Sequence, residues 1–95
     1  MKGAKNVIGP QVKALRKELA LSQNQLAAKL QIEGLIDIRE NVVSKIEGQF
    51  RNVTDYEVAI IAKILNVTVD RLFPSYSVIS ENIEDIRRPP RSNET

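Results

Sequence analysis

Three short patterns constrain this chain most: Ser22-Gln23-Asn24-Gln25, Asp37-Ile38-Arg39-Glu40 and Thr54-Asp55-Tyr56-Glu57. In each, a short polar side chain stands three places before a Glu or Gln. That spacing lets the two side chains satisfy free backbone N–H groups at a helix start. Apolar residues then follow at helical intervals: Leu26, Ala27 and Leu30, then Val43 and Ile46, then Val58, Ile61, Ala62 and Leu65. An earlier helix opens at Gly9-Pro10, where the missing proline N–H does no harm, and places Val12, Leu15 and Leu19 on one face. A last short one, Val69-Asp70-Arg71-Leu72-Phe73, follows Thr68 and stops at Pro74. No segment alternates with period two.

The spacing therefore predicts an all-α domain of five helices over residues 9–74. Residues 1–8 are expected to be a flexible N-terminus, and residues 75–95 a C-terminal tail, partly helical or disordered. The expected core is Leu15, Leu19, Leu26, Leu30, Val43, Ile46, Ile61, Leu65, Leu72 and Phe73. In the tail, Ile79, Ile83 and Ile86 suit a short amphipathic helix opened by Ser80. They would dock either on a second subunit or on the chain's own last helices. The stretch from Arg87 to Thr95 has no apolar residue and is expected to be disordered.

Composition narrows the chemistry. The 95 residues include no Cys and no His. A disulfide framework, a thiolate metal site and a histidine base are thus excluded. No Gly-rich phosphate loop occurs, and the neighbouring acids Asp55 with Glu57 and Glu84 with Asp85 read as helix-start partners or a solvated face. The expectation is a protein that is not an enzyme, with no metal and no cofactor. No apolar run approaches the roughly 20 residues of a membrane span, and no apolar stretch follows Met1-Lys2-Gly3-Ala4-Lys5-Asn6 as a secretory leader would require. A cytoplasmic location away from membranes is expected.

Charge is unevenly placed. Residues 1–53 hold nine basic and five acidic residues, and the remainder five and seven. The positive half contains two helix signals close in sequence, Ser22 to Leu30 and Val43 to Glu47. Two such helices packed at an angle are a common way to set a helix into the DNA major groove. Phosphate binding needs positive potential on the same half. If the second helix spans about residues 38–47 and turns Val43 and Ile46 inward, then Glu40, Asn41, Ser44 and Lys45 point outward. Asn41 can read adenine, Lys45 can donate to guanine or phosphate, and Glu40 can accept from cytosine. Arg39, at the helix start, can reach guanine or phosphate. The plain alternative is a solvated polar face. Lys13 and Lys17 are further basic candidates for phosphate.

Three segments in order, Leu21-Ser22-Gln23-Asn24-Gln25-Leu26-Ala27-Ala28-Lys29-Leu30, Val43-Ser44-Lys45-Ile46-Glu47-Gly48 and Ala59-Ile60-Ile61-Ala62-Lys63-Ile64-Leu65-Asn66-Val67, resemble the phage Cro/repressor-type helix-turn-helix family, also called the xenobiotic-response-element family. The resemblance covers about residues 8–73. It implies a five-helix fold, double-stranded operator DNA as ligand, transcriptional control and a homodimer. It places base reading on Glu40, Asn41 and Lys45, phosphate contacts on Gln23, Arg51 and Asn52, and a structural ion pair on Arg16 and Glu47. The chain departs from the family in one place. Gln31-Ile32-Glu33-Gly34-Leu35-Ile36-Asp37 lengthens the turn before the reading helix by about six residues, at little cost in closure entropy. Ile32, Leu35, Ile36 and Ile38 suggest that this insert folds back on the core. The expected function is sequence-specific DNA binding and transcriptional regulation, as a repressor. The alternative is a protein-interaction module that uses the same scaffold without specific DNA binding.

Overall fold

The computed structural model describes residues 4–87, with side-chain surroundings through residue 81. The order is α1 (Gly9–Glu18), α2 (Gln23–Ile32), α3 (Glu40–Glu47), α4 (Asp55–Leu65), a 3-10 turn (Val69–Leu72) and α5 (Tyr76–Arg87). Among the described residues there is no strand. The expected last short helix is thus a single 3-10 turn, and the fifth α-helix belongs to the tail.

Two of the three start patterns operate as capping boxes. Ser22 Oγ accepts from Gln25 N at 3.0 Å, and Gln25 Oε1 accepts from Ser22 N at 2.8 Å. Thr54 Oγ1 accepts from Glu57 N at 3.3 Å, and Glu57 Oε1 accepts from Thr54 N at 3.0 Å. The third does not. Helix α3 begins at Glu40 rather than near Ile38, its cap residue is Arg39, and no side chain caps it. Burial explains the difference. Ile38, just before the cap, and Val43, four places after the cap, both join the core. That is the arrangement of a hydrophobic staple, in which apolar contact rather than a polar cap sets the approach of the chain.

Helices α1 to α4 all end alike. Ala20, Gly34, Gln49 and Asn66 have φ of +57°, +109°, +66° and +59°. After each, the next N–H returns to a carbonyl five residues back: Leu21 to Arg16, Leu35 to Leu30, Phe50 to Lys45 and Val67 to Ala62. These are Schellman closures, which satisfy carbonyls left free at a helix end. They let short helices stop within one turn and reverse direction.

The core gathers Ile8, Val12, Leu15, Leu26, Ala27, Leu30, Ile38, Val43, Ile46, Ile61, Ala62, Leu65 and Leu72. Helix α2 packs on α3 and α4, α1 on α3, α4 and the 3-10 turn, and the 3-10 turn on α4. Two residues expected inside are not: Leu19 is 46% exposed and Phe73 39%. Leu19 lies past the last turn of α1, where the chain leaves the helical phase. Phe73 follows the 3-10 turn in extended backbone and forms one wall of a shallow apolar depression with Val7, Val53 and Val58. The insert folds back only in part. Leu35 and Ile38 pack on the core, but Ile32 and Ile36 are exposed.

The N-terminal segment is not loose from Ala4 onward, contrary to expectation. Ala4, Asn6 and Ile8 are buried, and Lys5 N donates to Gln49 O at 2.9 Å. The tail helix opens earlier than a Ser80 cap would allow: the Ser75 carbonyl accepts from Val78 and Ile79, and Ser80 Oγ donates within the helix to Ser77 O. The alternatives for Ile83 and Ile86, and the disorder expected beyond Arg87, lie outside the described residues and side chains.

Candidate nucleic-acid interface

Helix α3 is held at its C-terminal end by one buried carboxylate. Glu47 Oε2 accepts from Arg16 Nε at 2.6 Å, and Oε1 accepts from Arg16 Nη2 and from Gln23 Nε2, both at 3.0 Å. The side chains of Arg16 and Glu47 are 8% and 3% exposed. The hydrogen bonds to Glu47 push the arginine's proton affinity above its ordinary value, against the opposing effect of burial. Arg16 Nη1 also donates to Leu21 O at 2.8 Å. One guanidinium therefore ties α1, the α1–α2 turn and α3 together, and Gln23 adds the start of α2.

A second set of bonds reaches α3 from the N-terminal segment. Asn6 Nδ2 donates to Ile46 O at 3.1 Å and to Arg51 O at 2.8 Å, while Asn6 Oδ1 accepts from Gly9 N at 2.9 Å. Gln49 Nε2 donates back to Asn6 O at 2.8 Å. Residues 4–8 form a strap across the end of α3. The strap brings α1 so close that a Cβ at Gly9 would lie 2.7 Å from the Glu47 oxygen and nearer still to that of Ile46. Sequence reasoning missed Asn6 and Gln49. A signal existed for Asn6, which stands three places before the helix start at Gly9 and caps it from there.

The face of α3 turned away from these anchors carries Glu40, Asn41, Ser44 and Lys45, all exposed, with Arg39 exposed at its start. Val43, Ile46 and Glu47 turn inward. None of the five exposed side chains makes a hydrogen bond or ion pair among the described residues. Their donors and acceptors are unspent, on a helix fixed from behind.

The residues expected at phosphates divide. Lys13 and Lys17 are exposed on α1, and Asn52 is exposed after α3. Gln23 is half-buried and gives one amide proton to Glu47. Arg51 is half-buried and committed: its Nη1 and Nη2 meet the two Glu57 oxygens at 3.0 and 3.1 Å, and Nη1 also donates to Asn52 O. That fork, helped by Thr54 and opposed by burial, holds the Glu57 carboxyl below its ordinary range. Arg51 thus braces the start of α4 instead of standing free in solvent.

A helix-turn-helix family model matches residues 12–72. The chain belongs to the helix-turn-helix family of phage Cro/repressor type. The matched span runs from within α1 to the 3-10 turn; it takes in the Arg16–Glu47–Gln23 anchor of α3 and leaves out the strap. Among solved structures, the chain is similar to the crystal structure of the DNA-binding domain of BldD, with 27% identity and a TM-score of 0.63, over 78% of this chain and 100% of that one. No curated protein matches. Helix-turn-helix membership supports DNA binding and regulation as the general role. Among the described residues, no helix is long and apolar enough to cross a membrane, and no cluster of acidic, His or Cys side chains is placed to hold a metal ion.

Proposed function

We propose that this chain binds double-stranded operator DNA sequence-specifically, with α3 in the major groove, and represses transcription as a homodimer by occupying its site. The observation that carries the reading is the exposed face of α3. Arg39, Glu40, Asn41, Ser44 and Lys45 spend no hydrogen bonds on the protein, on a helix that Arg16, Gln23 and Asn6 hold in place. Preorganised, unspent polar groups at helical spacing are what base edges require. The similarity to the BldD DNA-binding domain supports the same reading.

In this proposal Asn41 reads adenine, Lys45 and Arg39 donate to guanine or phosphate, Glu40 accepts from cytosine and Ser44 bonds either partner. Lys13, Lys17, Gln23 and Asn52 set the register on phosphates. Arg51 acts mainly through Glu57, by fixing the loop that presents Asn52. The exposed Ile32 and Ile36 on the lengthened turn favour a second reading, a docking module for another protein.

Selection from a random duplex pool, followed by titration of the selected site at several salt concentrations, separates the two. The DNA-binding reading expects a palindromic site and an affinity that falls with salt at a slope near −0.9 per phosphate contacted. Absence of an enriched sequence, or a flat salt response, overturns it.

A further inference from the structure

We infer that Phe50 is a base-contacting residue, whose ring meets a thymine 5-methyl group at the end of the sequence read by α3. The inference rests on the DNA-reading proposal and deepens it. Gly48 stands seven residues after Asn41 and four after Ser44. At 100° per residue, the direction of a side chain at position 48 falls between those two, in the middle of the exposed face. Glycine leaves that direction empty, and the Phe50 ring fills it. A Cβ at Gly48 would lie 2.7 Å from Phe50 Cε2 and 2.8 Å from Cδ2. The ring is therefore laid over the end of the stripe formed by Glu40, Asn41, Ser44 and Lys45.

The backbone beneath the ring is fixed. Gln49 turns left-handed at φ +66°, and Phe50 N returns to Lys45 O at 2.8 Å. Gln49 is buried and bonded to the strap through Asn6 O. Yet Phe50 is 76% exposed. The polar residues of the stripe can read donors and acceptors, but none offers thymine the apolar surface that its methyl group calls for. Phe50 supplies that surface, at a place set by the same turn that ends α3.

The test uses the full chain and its selected duplex, with each thymine replaced in turn by deoxyuridine, which removes only the 5-methyl. The expected result is one thymine per half-site where the change weakens wild-type binding by about fourfold, the effect of losing one methyl-sized apolar contact. Phe50→Ala should bind more weakly and be indifferent to uracil at that position. Gly48→Ala, which keeps the ring but displaces it, should also lose the methyl effect, while Phe50→Leu keeps part of it. Binding with a flat uracil scan overturns this inference alone. So does a Phe50→Ala chain that retains the methyl effect, or one whose mass in light scattering halves, which would make the ring a subunit contact. Absence of any duplex binding by the wild type overturns the DNA-reading proposal itself.

Discussion

Arg16 and Glu47, 31 residues apart in sequence, meet side-on: Nε faces Oε2 at 2.6 Å and Nη2 faces Oε1 at 3.0 Å, with both side chains almost wholly buried. A bidentate pair of this kind fixes orientation as well as distance. Its value to the fold is conditional. Forming a buried pair returns little net stability, because both charges lose water, but removing one partner leaves the other uncompensated.

Glu47→Ala is therefore expected to cost about 3 kcal/mol or more in urea unfolding, well above the roughly 1 kcal/mol of an average substitution. Arg16→Met combined with Glu47→Leu should cost less than Glu47→Ala alone. A double variant worse than the single one would show that the pair contributes through something other than uncompensated charge.

Gly9→Ala adds one methyl group where backbone oxygens of Ile46 and Glu47 stand. Backbone cannot swing aside as a side chain can, so α1 and α3 must part. The expected loss is about 1–3 kcal/mol, with weaker DNA binding because α3 shifts. Thermal unfolding and duplex titration check the two effects. Unchanged stability would mean that the helices separate without strain.

Ala20→Gly should act in the opposite direction. Ala20 closes α1 at φ +57°, where a Cβ crowds the following carbonyl. Glycine removes that crowding but adds freedom to the unfolded chain. The balance expected is a gain of about 0.5–1 kcal/mol in a chemical melt, with DNA affinity unaltered. A loss would mean that the exposed Ala20 methyl contributes packing.

Acid should weaken the fold through Glu57. Its carboxyl is held below the ordinary value of 4.5, first by the Arg51 fork and then by Thr54. A carboxyl depressed in the folded state contributes its stability above the unfolded value. That contribution drains away as pH falls from near 4.5 through the lower folded value. Melting temperature followed from pH 6 downward (about where Glu is fully ionised) should fall less steeply for Glu57→Gln than for wild type. Equal slopes would rule Glu57 out as an acid-sensitive group.

Two exposed positions separate base reading from phosphate contact. Asn41→Ala should lose about 1–3 kcal/mol at one base pair and relax the preference there. Lys17→Ala should weaken all duplexes alike and reduce the salt slope by about one phosphate. Competition titrations with single-base variants of the selected site measure both. An Asn41→Ala chain with an unchanged base preference would remove Asn41 from the reading set.

Local signals proved the most legible. The capping boxes at Ser22 and Thr54 involve partners three residues apart, so sequence alone contains the whole interaction. The exposed face of α3 follows from the helical period once Val43 and Ile46 are inside. Asp37 misled because a cap and a staple competed for the same turn, and burial of Ile38 prevailed. Arg51 reads as a free cation beside a loop, since Glu57 already has a role as cap partner; the structure gives that one carboxylate both roles. The left-handed closures at Ala20 and Gln49 use residues that carry no sequence signature for positive φ. The strap was hidden for another reason: its bonds to the end of α3 and the loop beyond join residues 40 to 45 apart, and no local pattern marks such pairs.

That separation also sets an order of events. Asn6 is made 40 residues before Ile46 and 45 before Arg51, whose carbonyls receive its amide, so the strap is among the last parts of the domain to find its place. Long-range closures of this kind come late, after nearby contacts have repaid their own entropy. Until synthesis passes Arg51, residues 4–8 lack their full set of distant partners, and the strap closes only when α3 and the loop after it are complete.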